Sequence, residues 1–101
     1  MQTMDGFEQI DVAAVRALRG EQGIVIVDIR DEESYRKAHI PGAILLNDGN
    51  MNTFLQETDK NKPLVCYCYH GISSQSAARY FVGQGFRKVY SMIGGFEQWR
   101  S

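Results

Sequence analysis

The chain has two cysteines, Cys66 and Cys68, and both fall inside the stretch Val65 to Ser74, VCYCYHGISS. Thiols two residues apart could form a disulfide, act as a redox dithiol, or comprise one nucleophile and one bystander. In an extended strand, residues i and i+2 lie ~6.6 Å apart with nearly parallel side chains, at the edge of the range a disulfide spans. A thioredoxin-like dithiol needs C-x-x-C at a helix start, which C-x-C at a strand end does not supply. Cys68 is then expected to be a nucleophile, because it stands where the apolar run breaks into a loop. Cys66, inside the strand, is expected to be a small buried hydrophobe.

A loop that leads from a strand into a helix aims backbone N–H groups, and the positive end of the helix dipole, into its own concavity. Anions bind there, and a thiol at the start of such a loop is held as thiolate, below the ordinary value of ~8.5. Gly71 lets the backbone curl, and Ser73 or Ser74 can cap the following helix or offer a hydroxyl to the anion. The loop carries no Arg or Lys, so anion binding falls to the N–H groups and hydroxyls. A Cys-based phosphatase requires Arg where Ser74 stands, which argues against that chemistry. His70 is expected to rim the pocket and contribute its N–H, Tyr69 to line the pocket or pack, and Asp28 and Arg30 to brace loops as a pair. His39 reads as a turn anchor; no Cys or His stands at ligand spacing from it, so no metal site is expected.

These residues must be positioned by elements legible in the pattern. Phe7 to Ile10 reads as a first strand, and Asp11 as the cap of a helix whose Ala14, Val15 and Leu18 form an apolar face. The β-branched run Ile24 to Val27 has no polar alternation, which suits a strand covered on both faces and central in a parallel sheet. Asp31 caps a second helix through about Ala38; Ile40-Pro41-Gly42 is a turn and Ala43 to Leu46 a third strand. A helix around Thr53 to Thr58 leads to the strand Leu64 to Tyr67. Ser73 to Gln84 is a helix with Ala77, Ala78 and Phe81 on one side and Gly85 as its left-handed stop. Lys88 to Met92 is the last strand, and Gly94-Gly95 precedes a short helix bearing Phe96 and Trp99 in the core. Strands alternating with helices imply a parallel sheet between helical layers, with ligands at the strands' carboxyl ends.

With 101 residues, 44% hydrophobic and 23% charged, the chain fits one domain, residues 1–101. A net charge of -1 gives no general attraction to nucleic acid or to an anionic membrane. The beginning of the sequence shows no basic region followed by an apolar core, and no apolar run approaches the ~20 residues of a membrane span. A cytoplasmic location is expected.

The loop CYHGISS resembles the active-site loop of the rhodaneses, a family of sulfurtransferases. Two further stretches agree: VDIRDEESYRKAHIPGA, Val27 to Ala43, resembles the family's first signature, and GGFEQW, Gly94 to Trp99, its C-terminal one. Many rhodaneses carry Arg near the loop's end, where Ser73 stands; its absence is shared with the small single-domain bacterial type. The resemblance implies a three-layer α/β sandwich with a five-stranded parallel sheet and helices on both faces. It implies transfer of sulfane sulfur from thiosulfate to cyanide or a thiol such as thioredoxin or another dithiol, through a Cys68 persulfide and without a cofactor. The loop residues Tyr69, His70, Gly71, Ile72, Ser73 and Ser74 would bind the substrate. The rival expectations are a persulfide carrier between protein partners and a catalytically silent interaction module.

Overall fold

The computed structural model describes residues 6–21 and 23–101. Strands and helices alternate along it: β1 (Glu8–Ile10), α1 (Val12–Arg19), β2 (Val25–Asp28), α2 (Glu32–Lys37), β3 (Ile44–Leu45), α3 (Met51–Glu57), β4 (Leu64–Tyr67), α4 (Ser73–Gly83), β5 (Val89–Met92) and α5 (Gly95–Trp99). The strands form a five-stranded sheet in the order β1-β5-β4-β2-β3, with every adjacent pair parallel. The middle place belongs to β4, whose four residues are all buried. The β-branched run of β2 lies one place off the middle, paired on both sides. Both strands are covered on both faces, and an apolar run reports only that coverage.

Side chains alternate between the faces of a strand, so the sheet feeds two cores. Leu64 and Cys66 pack with Val27, Phe54 of α3, and Ala78 and Phe81 of α4. Val65 and Tyr67 pack on the opposite side with Val15 of α1, Tyr35 of α2, and Phe96 and Trp99 of α5. This is the expected three-layer sandwich.

Local signals set most of the helix boundaries. The Asp11 carboxylate accepts from Ala14 N–H at 2.9 Å, and Asp31 from Ser34 N–H at 3.0 Å, satisfying first-turn donors as expected. Gly85, at φ +99°, follows α4, which ends at Gly83 instead of Gln84. Helix α3 starts earlier than expected, at Met51, because Asn50 closes the preceding turn. Its side chain accepts from Asn47 N–H at 2.8 Å and donates to Leu45 O at 2.7 Å. No helix among the described residues is long and apolar enough to cross a membrane.

The carboxyl ends of β2 and β4 are tied by a buried polar cluster. Asp28 accepts from Arg30 N–H at 2.8 Å, from Arg30 Nη2 at 2.7 Å and from Tyr67 Oη at 2.6 Å. Tyr67 Oη in turn accepts from Ile40 N–H at 3.1 Å, and Arg30 donates to Ala38 O at 2.7 Å, so the α2–β3 connection is held as well. Burial and the bond to Asp28 hold the Tyr67 phenol above its usual range, so it stays a donor. Removing one partner of a buried ion pair leaves the other charge uncompensated. Asp28→Asn should therefore lower unfolding free energy by about 3 kcal/mol in urea titration; a loss below about 1 kcal/mol, the scale of an exposed pair, would contradict the cluster's structural role.

Candidate active site

Strand β4 ends at Tyr67, and Cys68 opens the turn into α4. Gly71 takes φ +87°, which reverses the backbone; a Cβ there would lie 2.7 Å from Gly94 N and 3.0 Å from Met92 O. The reversal brings Gly71 N–H to 3.2 Å and Ser74 N–H to 3.3 Å from Cys68 Sγ, and Ser74 Oγ lies 3.5 Å from the same sulfur. The loop is wrapped around the sulfur atom.

The C-terminal helix holds the loop in that shape. Phe96 N–H donates to Cys68 O at 2.8 Å and Glu97 N–H to Tyr69 O at 3.1 Å. In a trans peptide the C=O and N–H point in opposite directions, so anchoring Tyr69 O on α5 turns His70 N–H toward the sulfur. Gly95, at φ +61°, permits this approach: a Cβ there would meet the Tyr69 carbonyl at 2.4 Å. Sequence reading placed Phe96 and Trp99 in the core but gave this glycine no role; the Gly-Gly doublet before a helix was the available signal.

The electrostatics of the two cysteines diverge. Burial pushes the Cys68 thiol up, but hydrogen bonds from the Ser74 hydroxyl and from the N–H groups of Ser74, Gly71 and His70 outweigh it. They hold the group below its ordinary value. For Cys66, burial and the neighbouring Cys68 charge push the thiol up to about 12. Cys66 Sγ faces two acceptors, Ser74 O at 3.3 Å and Tyr90 O at 3.4 Å, between which a neutral thiol shares its one proton. The expectation of Cys66 as strand packing is borne out.

Cys68 is only 7% exposed, at a pocket of about 380 Å³ walled by Ile29, Arg30, Tyr69, His70, Ile72 and Ser73. Tyr69, His70, Ile72 and Ser73 are exposed at the rim, whereas Gly71 and Ser74 are buried. Ser74 therefore faces the sulfur and not the pocket. Neither serine caps α4 through its side chain: the helix is preceded by Ile72, and no side-chain cap bond forms. Cys68 Sγ itself takes the Ser74 N–H, doing the work of a cap. Arg30 supplies the cation that the loop lacks, from 38 positions earlier in the chain. Its guanidinium lies 4.2 Å from the Phe96 ring centroid and is fixed by Asp28. The pair braces the site as expected, and Arg30 also walls the pocket. His39 anchors its turn as expected, Nδ1 2.6 Å from Tyr35 O and its ring stacked on Tyr35. A larger cavity of about 680 Å³, over Leu46, Met51 and Tyr80, shares Ile29 and Arg30 but is not lined by Cys68.

A buried cysteine cradled by N–H groups thus ends the central strand of a β1-β5-β4-β2-β3 parallel sheet. The chain belongs to the rhodanese-like domain family, whose sequence profile covers residues 11–101. Among particular relatives, it is 51% identical over 98 residues to the thiosulfate sulfurtransferase GlpE of Pseudomonas syringae, covering 97% of this chain and 92% of that one. It is 45% identical over 95 residues to GlpE of Coxiella burnetii, covering 94% and 89%. The crystal structure of a rhodanese-like domain protein from Staphylococcus aureus shares the fold, with a TM-score of 0.79 at 23% identity over 92% of this chain and 91% of that one. A Bacillus halodurans protein superposes with a TM-score of 0.76 at 35% identity, over 94% and 72%.

Only the thiolate reacts with an alkylating agent, so the alkylation rate follows ionisation of Cys68. Ser74→Ala removes one donor to the charged form. The midpoint of the rate against pH should rise by about 1 pH unit, with slower reaction below the midpoint and convergence with the parent above it. An unchanged midpoint would show that the hydroxyl does not act on the sulfur.

Proposed function

We propose that this protein is a thiosulfate sulfurtransferase that carries sulfane sulfur on Cys68. The observation that supports this most is the set of N–H groups converging on a buried Cys68 Sγ at the floor of a pocket. In the first step the thiolate attacks the outer sulfur of thiosulfate; a new S–S bond forms, the old one breaks, and sulfite leaves with its electron pair. In the second, an acceptor attacks the outer sulfur of the Cys68 persulfide, and the thiolate departs unchanged. Cyanide yields thiocyanate; a thiol, thioredoxin or another dithiol yields a persulfide on the acceptor. Both steps are displacements at sulfur, and ping-pong kinetics follow.

Tyr69 to Ser74 form the substrate-binding loop in this reading, with their N–H groups stabilising the anionic donor and the persulfide as an oxyanion hole would. Residues 1–101 act as one rhodanese domain, in the cytoplasm, where thiols stay reduced. Loading from a protein donor is a second reading, favoured by one observation: Ile72 is 74% exposed at the pocket mouth beside the exposed Tyr69. An apolar rim suits a protein surface better than a small anion. That reading predicts poor saturation by thiosulfate and rapid loading from a cysteine desulfurase.

Cys68→Ser should abolish thiocyanate formation, a loss of at least about 1000-fold with the circular dichroism spectrum unchanged. Cys66→Ser should remain within about twofold of the parent, as expected of a buried bystander. Turnover by Cys68→Ser would sink the proposal.

A further inference from the structure

Ser91 lies on β5, fully buried and paired in register with Cys66. It lines neither of the two cavities described above and has no part in the steps above. The face it shares is apolar, with Val89, Leu64 and Phe81 among the side chains packed there. Burying a hydroxyl in such surroundings is unfavourable unless it is hydrogen-bonded. The Ser91 Oγ lies 2.7 Å from Ser74 Oγ, which lies 3.5 Å from Cys68 Sγ. Three side chains from β5, α4 and the end of β4 thus form a continuous line from the sheet interior to the sulfur.

Each serine hydroxyl has one proton, and the direction in which each points is fixed by what surrounds it. A thiolate can only accept. When Ser74 gives its proton to the sulfur, its oxygen is left to accept, and Ser91 is placed to donate to it. In the reverse orientation Ser74 would give its proton to Ser91 Oγ, and the sulfur would lose a donor. The hydroxyl line therefore has one favoured polarity while Cys68 is charged.

We propose that Ser91 is a positioning residue for sulfur transfer: its hydroxyl donates to Ser74 Oγ and so holds the Ser74 proton on Cys68 Sγ. This rests on Cys68 being the sulfur carrier. The charged and titratable groups toward Cys68 include Cys66 on β4, Arg30 beyond β2 with its partner Asp28, and Tyr69 and His70 in the loop, with Asp31 accepting from Tyr69 Oη. Substitution at position 91 changes none of them.

Thr and Val have the same shape and differ at this position by one hydroxyl, and both suit a strand. The test compares Ser91→Thr with Ser91→Val, following alkylation of Cys68 by iodoacetamide against pH with peptide mass spectrometry as the readout. Ser91→Thr should keep the parental midpoint. Ser91→Val should raise it by about 0.5 to 1 pH unit, which is three- to tenfold less thiolate below the midpoint. In a Ser74→Ala background the two should titrate alike, because the line is already cut. Should the added methyl unfold both, Ser91→Ala against the parent gives the same comparison. Coincident Thr and Val midpoints, or a Val effect undiminished by Ser74→Ala, would overturn the role of Ser91 while leaving the carrier reading intact. Thiocyanate formation by Cys68→Ser would overturn the carrier reading without moving these titrations.

Discussion

Burial alone would drive Cys68 toward the neutral thiol, and hydrogen bonds from the Ser74 hydroxyl and from the Ser74 and Gly71 N–H groups, at 3.3 and 3.2 Å, outweigh it. Much of the surrounding architecture follows from keeping those donors aimed at one atom. Gly71 takes a left-handed conformation so that its N–H can reach back three residues. Helix α4 begins without a side-chain cap because the sulfur occupies that position. Helix α5 takes the carbonyls of Cys68 and Tyr69 on its first amides, and Gly95 lets it approach closely enough to do so. The donors are fixed before any substrate arrives, which is the condition under which hydrogen bonds stabilise developing charge most effectively.

Burial and the Cys68 charge raise the Cys66 thiol, and the donors on Cys68 lower the other; Ser74 faces both sulfurs. Ser74 presents its N–H and hydroxyl to Cys68 and its carbonyl to Cys66. A sulfur facing donors is stabilised as an anion; one facing an acceptor is stabilised as S–H. Two thiols two residues apart at one strand end are therefore shifted in opposite directions from the ordinary thiol value. The C-x-C spacing places both on the α4 side of the sheet, where one helix start can serve each differently.

Much of this was legible in the sequence, and what was missed shares a cause. The alternation of strands and helices, the caps at Asp11 and Asp31 and the nucleophile at a strand end all follow from residues near one another in the chain. The role of Ser74 was divided between capping and substrate contact, because nothing local reveals that Ser91, 17 positions away, lies beneath it. Arg30 reads as a brace, and its place in the pocket wall depends on α5 packing Phe96 under its guanidinium. Gly95 reads as turn punctuation until the Tyr69 carbonyl is brought against it. These contacts depend on strand order and helix docking, which periodicity does not encode.

In the proposed function the cradle around Cys68 holds a sulfur atom in transit. Mass spectrometry of the protein after treatment with thiosulfate, followed by peptide mapping without reductant, tests it most directly. An adduct of about 32 Da, one sulfur, should appear on the peptide at Cys68 and disappear when cyanide is added. Absence of the adduct, or its location on Cys66, would contradict the account.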